Sequence, residues 1–198
     1  MKKTIIIIPT YYCNFSCSHC GIRRSSKKLY ISLSNVEKLF RIIKSQKISS
    51  IWLTGGGEPS IDFEKMIKII RLASKHGSHS QLVTNASFVL KGGGYKNIKI
   101  LKDAGLERLD LSIDDYHLKF ISYSSIIKTI KSALRLNLTI QIKMTTTKEV
   151  KEINFALLKK MVKDLGGKLI KVFPFDVWGM PSYIILLKRK SITVYIYF

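Results

Sequence analysis

Three cysteines stand in the run C-N-F-S-C-S-H-C, as Cys13, Cys17 and Cys20, and the sequence contains no others. A disulfide framework would leave one thiol over, and in a cytosolic setting it is disfavoured. Structural zinc wants four ligands, commonly in two separated pairs. Here the one nearby candidate for a fourth is His19, which directly precedes Cys20 and could hardly share one small ion with it. Iron–sulfur clusters are held by thiolates, usually four. Three thiolates in one tight loop therefore suggest a cubane with one iron left without a protein ligand, an open and reactive position. A zinc or redox loop with this spacing by chance is the competing reading.

Other clusters with chemical potential follow. Gly55-Gly56-Gly57-Glu58-Pro59 is a glycine run whose backbone can approach a ligand closely and whose carbonyls can accept bonds from an ammonium. Taken alone, such a run is more often a turn. In Leu109-Asp110-Leu111-Ser112-Ile113-Asp114, strand alternation sends Ser112 and Asp114 to one face and Leu111 and Ile113 to the other. A hydroxyl and a carboxylate facing a barrel interior cost free energy unless they bind something, although Asp114 or Asp115 could also cap a helix. Thr84-Asn85-Ala86, Gln141 and Lys143, and His117 complete the candidates. A snorkelling surface lysine is an equal reading for Lys143, and a satisfied loop residue the default one for His117.

Short apolar runs alternate with longer amphipathic stretches, the pattern of repeated β/α units around a parallel sheet. Strands are expected at residues 4–8, 51–53, 81–84, 108–113, 139–144 and 168–173. The Ser34-Asn35-Val36-Glu37 capping box should open the first helix, to about residue 45. Further helices are expected at 62–76, 95–104, 124–136 and 151–165, with Gly77, Gly105 and Gly166-Gly167 as stops. Six β/α steps make an open, partial (β/α)6 TIM-like barrel with parallel strands. Chemistry in such folds gathers at the carboxyl ends of the strands, where the unusual clusters lie. The expected division is a core over 1–175 and a short tail or hairpin over 176–198, cut from a longer protein or closing a minimal barrel, with an open sheet edge near the C-terminus.

With these features in place, the sequence resembles the radical SAM superfamily from about residue 4 to 175. The resemblance rests on Cys-x3-Cys-x2-Cys after the first strand, Gly56-Gly57-Glu58, Ser112 through Asp114, and Thr84-Asn85-Ala86. It implies a [4Fe–4S] cluster on Cys13, Cys17 and Cys20, whose open iron is chelated by S-adenosylmethionine. Reductive cleavage of that sulfonium would give a 5′-deoxyadenosyl radical that takes hydrogen from a substrate. The same resemblance implies the methionyl ammonium on Gly56, Gly57 and Glu58. It places His19, where an aromatic residue is usual, near the adenine, and Ser112 at ribose or carboxylate. Asp114 would stand nearby or face substrate, and Lys143 or Gln141 could reach the methionine carboxylate. Asn85 fits, but Ala86 stands where the family usually has glycine, which leaves that loop's geometry open.

The motif set resembles peptide- and protein-modifying members, so a peptide substrate and a flavodoxin- or ferredoxin-like electron donor are the expected partners. No cysteine follows Cys20 to build an auxiliary cluster. The net charge of +21 is spread over all segments, so nucleic acid is a weaker partner. A non-enzymatic or truncated cluster- or nucleic-acid-binding module, and an RNA-modifying radical SAM enzyme, are the alternatives. No long apolar run signals a membrane span, and a cytoplasmic protein is expected. The apolar tail raises self-association or a missing domain.

Overall fold

The computed structural model describes residues 3–22, 25–90, 93–145, 151–172, 182–187 and 190–197. The strands are β1 (Lys3–Ile7), β2 (Ile48–Leu53), β3 (His79–Thr84), β4 (Arg108–Ser112), β5 (Thr139–Thr145), β6 (Lys168–Val172), β7 (Ser182–Leu186) and β8 (Ser191–Tyr197). The helices are α1 (Leu33–Ile42), α2 (Phe63–Lys75), α3 (Gly94–Asp103), α4 (Asp115–Leu118), α5 (Tyr123–Arg135) and α6 (Lys151–Asp164). Strands β1 to β5 pair in sequence order and in parallel, and the sheet does not close on itself.

The sixth parallel strand is not the expected one. β8 pairs with β5 in parallel, β7 runs antiparallel beside β8, and β6 becomes the outer edge. The order is therefore β1-β2-β3-β4-β5-β8-β7-β6. The reason is burial. Ile192 and Val194 on β8 continue the apolar layer of β5 and are completely buried, which the residues of a loose tail would not be. The stretch 173–181, where regular alternation was expected to stop, lies outside the described residues.

Alternation along the strands builds two unlike faces. Ile51, Leu53, Leu82, Leu109, Leu111, Ile140 and Ile142 form the helix-facing layer, each with 1% exposure or less. They pack into one core with Met66, Ile69 and Ile70 of α2, Leu101 of α3 and Ile126 and Ile130 of α5. The opposite, inner face carries Trp52, Gln81, Arg108, Asp110, Gln141 and Lys143, mostly half-buried. Polar residues are tolerated there because most of them keep part of their surface in contact with solvent.

Helix starts follow side-chain capping. The Ser32 hydroxyl accepts from the Asn35 amide at 3.2 Å, so the cap of α1 lies two residues before the expected one at Ser34. Asp62 caps α2 and Ser122 caps α5 in the same way. Gly77, Gly105 and Gly166 sit at positive φ where helices end, as their placement in the sequence predicts. No helix among the described residues is long and apolar enough to cross a membrane.

Candidate active site

The loop after β1 carries all three cysteines over the carboxyl ends of β2, β3 and β4. A cleft there is lined by Cys13, Cys17, His19, Cys20, Gly55, Gly56, Gly57, Glu58, Asn85 and Ser112. Nine of the eleven expected site residues thus meet around one space, from segments far apart in sequence. Asp114 and Lys143 do not line it. Phe15, Ile22, Thr54 and Val83 do, as do Thr84 and His117, of which the sequence offered Thr84 only as part of the Thr-Asn-Ala run and His117 as a loop residue by default.

The glycine run has a packing reason besides ligand approach. A Cβ on Gly57 would stand 2.0 Å from the Tyr12 carbonyl oxygen, and one on Gly56 would stand 2.3 Å from the Tyr11 ring. The Gly57 amide donates to Thr10 O and the Glu58 amide to Tyr12 O, each at 2.9 Å. The bare backbone after β2 is what lets the root of the cysteine loop dock. Phe15, 4% exposed, anchors that loop by stacking on Phe120 at 5.0 Å.

Glu58 acts through the same loops. It is 3% exposed, and its Oε1 accepts from the Ser60 amide (3.0 Å), the Ser60 hydroxyl (2.6 Å) and the Thr84 hydroxyl (2.6 Å). Its Oε2 accepts from the Asn85 amide at 2.8 Å. Burial pushes this carboxyl's pKa up, and the donors on Asn85, Ser60 and Thr84 pull it back. The side chain is a strut between the β2 and β3 loops, and the lone pairs left on Oε2 are what it can offer to the cleft.

Asn85 extends the strut to the cysteines. Its Nδ2 lies 3.2 Å from Asn14 Oδ1 and 3.9 Å from Cys13 Sγ, and its Oδ1 accepts from the Ser87 amide. Ala86 takes φ +62°, which explains why glycine suits this position; the Thr84 hydroxyl steadies the strained residue by accepting from its amide at 3.0 Å.

Asp114 is the cap of α4. Its Oδ1 accepts from the His117 amide (3.0 Å) and from His117 Nδ1 (2.7 Å), and its Oδ2 from the Thr145 amide (3.0 Å). Burial raises its pKa, but these donors outweigh burial and hold the carboxyl below the usual range. The helix-cap reading therefore holds for Asp114, which serves the cleft by fixing His117. With Nδ1–H committed to Asp114, Nε2 is the remaining polar atom of a ring that lines the cleft. Asn154, 1% exposed, locks this corner: its Oδ1 accepts from the Asp115 amide and its Nδ2 donates to Thr145 O, both at 3.0 Å. His19 stands 4.8 Å from the Tyr116 ring and 5.5 Å from His117, centroid to centroid. Burial lowers its pKa, which favours a neutral imidazole that can stack on a ligand.

Lys143 is drawn elsewhere. Its Cα is level with Ser112 in the sheet, yet its Nζ turns to Asp110 Oδ2 at 3.4 Å. A completely buried carboxylate attracts the lysine more strongly than the solvent-open cleft does.

The thiol set suits a cationic cluster. The Cys17 thiol is pushed up to about 11, first by burial and then by Cys13, Asp114 and Cys20. Three thiolates crowded beside a carboxylate repel one another until positive charge is placed among them. Among the described residues, no group of three His, Cys, Asp or Glu side chains converges as a single metal ion would need. In a cubane each thiolate binds a different iron, so convergence on one point is not required.

Similarity to known proteins agrees with this geometry. A probable GTP 3′,8-cyclase of Pyrococcus horikoshii is 28% identical over 151 residues, covering 72% of this chain and 46% of that protein. The putative peptide biosynthesis protein YydG of Bacillus subtilis is 24% identical over 181 residues, covering 87% and 54%. The chain spans about half the length of the curated relatives it matches. Among solved structures, Streptococcus suis SuiB bound to S-adenosylmethionine superposes with a TM-score of 0.66 at 20% identity, covering 83% of this chain and 39% of SuiB. That likeness shows the partial-barrel fold. The family described as the Radical SAM superfamily, whose proteins use a [4Fe–4S] cluster and S-adenosylmethionine, matches residues 7–161, and this chain belongs to it.

Proposed function

We propose that this chain binds a [4Fe–4S] cluster through Cys13, Cys17 and Cys20 and S-adenosylmethionine in the adjoining cleft, and that it abstracts hydrogen from a peptide substrate. The observation that carries the reading is the cleft itself: three thiols, the Gly56-Gly57-Glu58 turn, Asn85 and Ser112 line one space although they come from three separate loops and the end of β4. When bound, the reduced cluster supplies the electron that cleaves the sulfonium of S-adenosylmethionine to a 5′-deoxyadenosyl radical.

The chain's own residues do the positioning. The Gly56 and Gly57 carbonyls and Glu58 Oε2 are the acceptors for the methionyl ammonium, Ser112 is the hydroxyl for ribose or carboxylate, and His19 is the ring beside the adenine. Asp114 and Asn154 hold His117 at the cleft wall. Asn85 and Phe15 hold the cysteine loop over the strand ends. The electron comes from a flavodoxin- or ferredoxin-like donor. A peptide substrate is supported by the motif set and by the likeness to YydG and SuiB; SuiB has been crystallised with its precursor peptide SuiA.

Anaerobic reconstitution tests the reading. The protein should take up about four irons per chain, and Ala in place of any one of the three cysteines should abolish uptake. A triple cysteine variant that still holds the cluster, or one zinc per chain after anaerobic purification, refutes the assignment.

A further inference from the structure

The inner face of the sheet carries a charged group that the proposed function leaves unused. Asp110 on β4 is completely buried and receives Arg108 Nε at 2.8 Å and an Arg108 terminal nitrogen at 3.2 Å. Lys143 from β5 adds its ammonium at 3.4 Å. Two cations against one carboxylate leave one positive charge, and both cations keep about a quarter of their side chains exposed (22% and 26%). A purely structural ion pair would not need the second cation, because Arg108 already meets both oxygens of Asp110.

Two further observations surround this charge. Gln81 Oε1, on the neighbouring strand of the same face, is buried without a hydrogen-bond partner. A buried acceptor with no donor costs about 1–3 kcal/mol, so it is a position where a ligand N–H would be gained. Trp52 lies beside it, with the Arg108 guanidinium 5.5 Å from its ring centroid. Asp110 precedes cleft-lining Ser112 by two residues on the same face, so the charged group sits about 7 Å below the floor of the cleft.

We propose that this inner-face cluster is a substrate subsite that takes one carboxylate of a peptide, an Asp or Glu side chain, against the exposed parts of Lys143 and Arg108, with a peptide N–H on Gln81. The charge decides between ligand classes. One net positive charge matches one carboxylate, whereas a nucleoside triphosphate brings several negative charges that this group leaves unbalanced. The subsite rests on the proposed function, since it presumes that the substrate reaches from the cleft onto the inner face.

The test needs neither cluster nor S-adenosylmethionine, so its failure is separable from failure of the radical chemistry. Trp178→Phe protein, which leaves Trp52 as the one tryptophan, is titrated with N-acetylglutamate α-amide, its glutamine counterpart, and GTP. Trp52 emission should change saturably with the glutamate probe and respond about tenfold or more weakly to the glutamine probe, the size expected for one charged hydrogen bond. Lys143→Met should abolish that preference while circular dichroism and melting stay close to the parent. Equal affinity for the two amides, no saturation by the glutamate probe, or tighter binding of GTP overturns the proposal. So does a Lys143→Met protein that keeps the glutamate preference, because the lysine would then not hold the carboxylate.

Discussion

Replacing Glu58 by Ala should destabilise the protein as well as weaken its cofactor site. The side chain accepts four hydrogen bonds, two from the backbone amides of Ser60 and Asn85 and two from the hydroxyls of Ser60 and Thr84. The hydroxyls can rotate to new partners, but the two amides are fixed and lie at a 3% exposed site. Each orphaned amide costs about 1–3 kcal/mol, so the pair costs about 2–6 kcal/mol, and water entering from the cleft keeps the total in the lower half, about 3 kcal/mol. With a urea m-value of about 2–3 kcal/mol/M, the unfolding midpoint of cluster-free protein should fall by roughly 1 M or more. Glu58→Gln keeps the shape and one acceptor oxygen but turns an NH2 toward one set of donors, so it should lie between wild type and Ala. Cluster-free protein removes the linkage of metal binding to stability, and an unchanged slope would show that the same two states are compared. If Glu58→Ala unfolds at the wild-type urea concentration while S-adenosylmethionine affinity falls by itself, the strut argument is wrong.

Two other outcomes follow from the geometry. Gly57→Ala should cost about 1–3 kcal/mol and lower iron uptake on reconstitution, because its Cβ meets the Tyr12 carbonyl at 2.0 Å, while Gly21→Ala, with nothing within 4 Å, should change stability little. Iron and melting measurements on both proteins decide it; equal behaviour would remove the packing role of the glycine run. Asp114 has its pKa held below the usual carboxylate range, so its stabilisation is complete above the unfolded value of about 3.9 and is lost as pH falls through the folded one. Wild type should therefore be more stable than Asp114→Asn at pH 7 and lose that margin in acid denaturation below about pH 4; a margin independent of pH would refute the capping account.

The cysteine spacing, the Gly-Gly-Glu run, the strand alternation and the helix-ending glycines were legible in the sequence because each is a local signal. A thiolate triad sits within one loop, alternation decides which face a side chain takes, and a positive φ favours glycine wherever it occurs. The sequence therefore determined the β/α order, the chemistry of the loop after β1, and nine of the eleven candidate residues that line the cleft. Roles that depend on neighbours far along the chain were not legible. Glu58 is held by residues up to 27 positions away, and Asn85 steadies a loop 71 positions away. His117 joins the cleft only because Asp114 and the end of β5 hold it there. Lys143 left the cleft for Asp110 because a buried carboxylate outbids an open one for a cation. β8, not β6, became the sixth parallel strand because both are short apolar strands in sequence, and only packing against the helices distinguishes them. Local propensity names the pieces. Which buried polar group finds which partner, and which apolar strand finds the core, is a competition across the whole chain, and only the assembled structure resolves it.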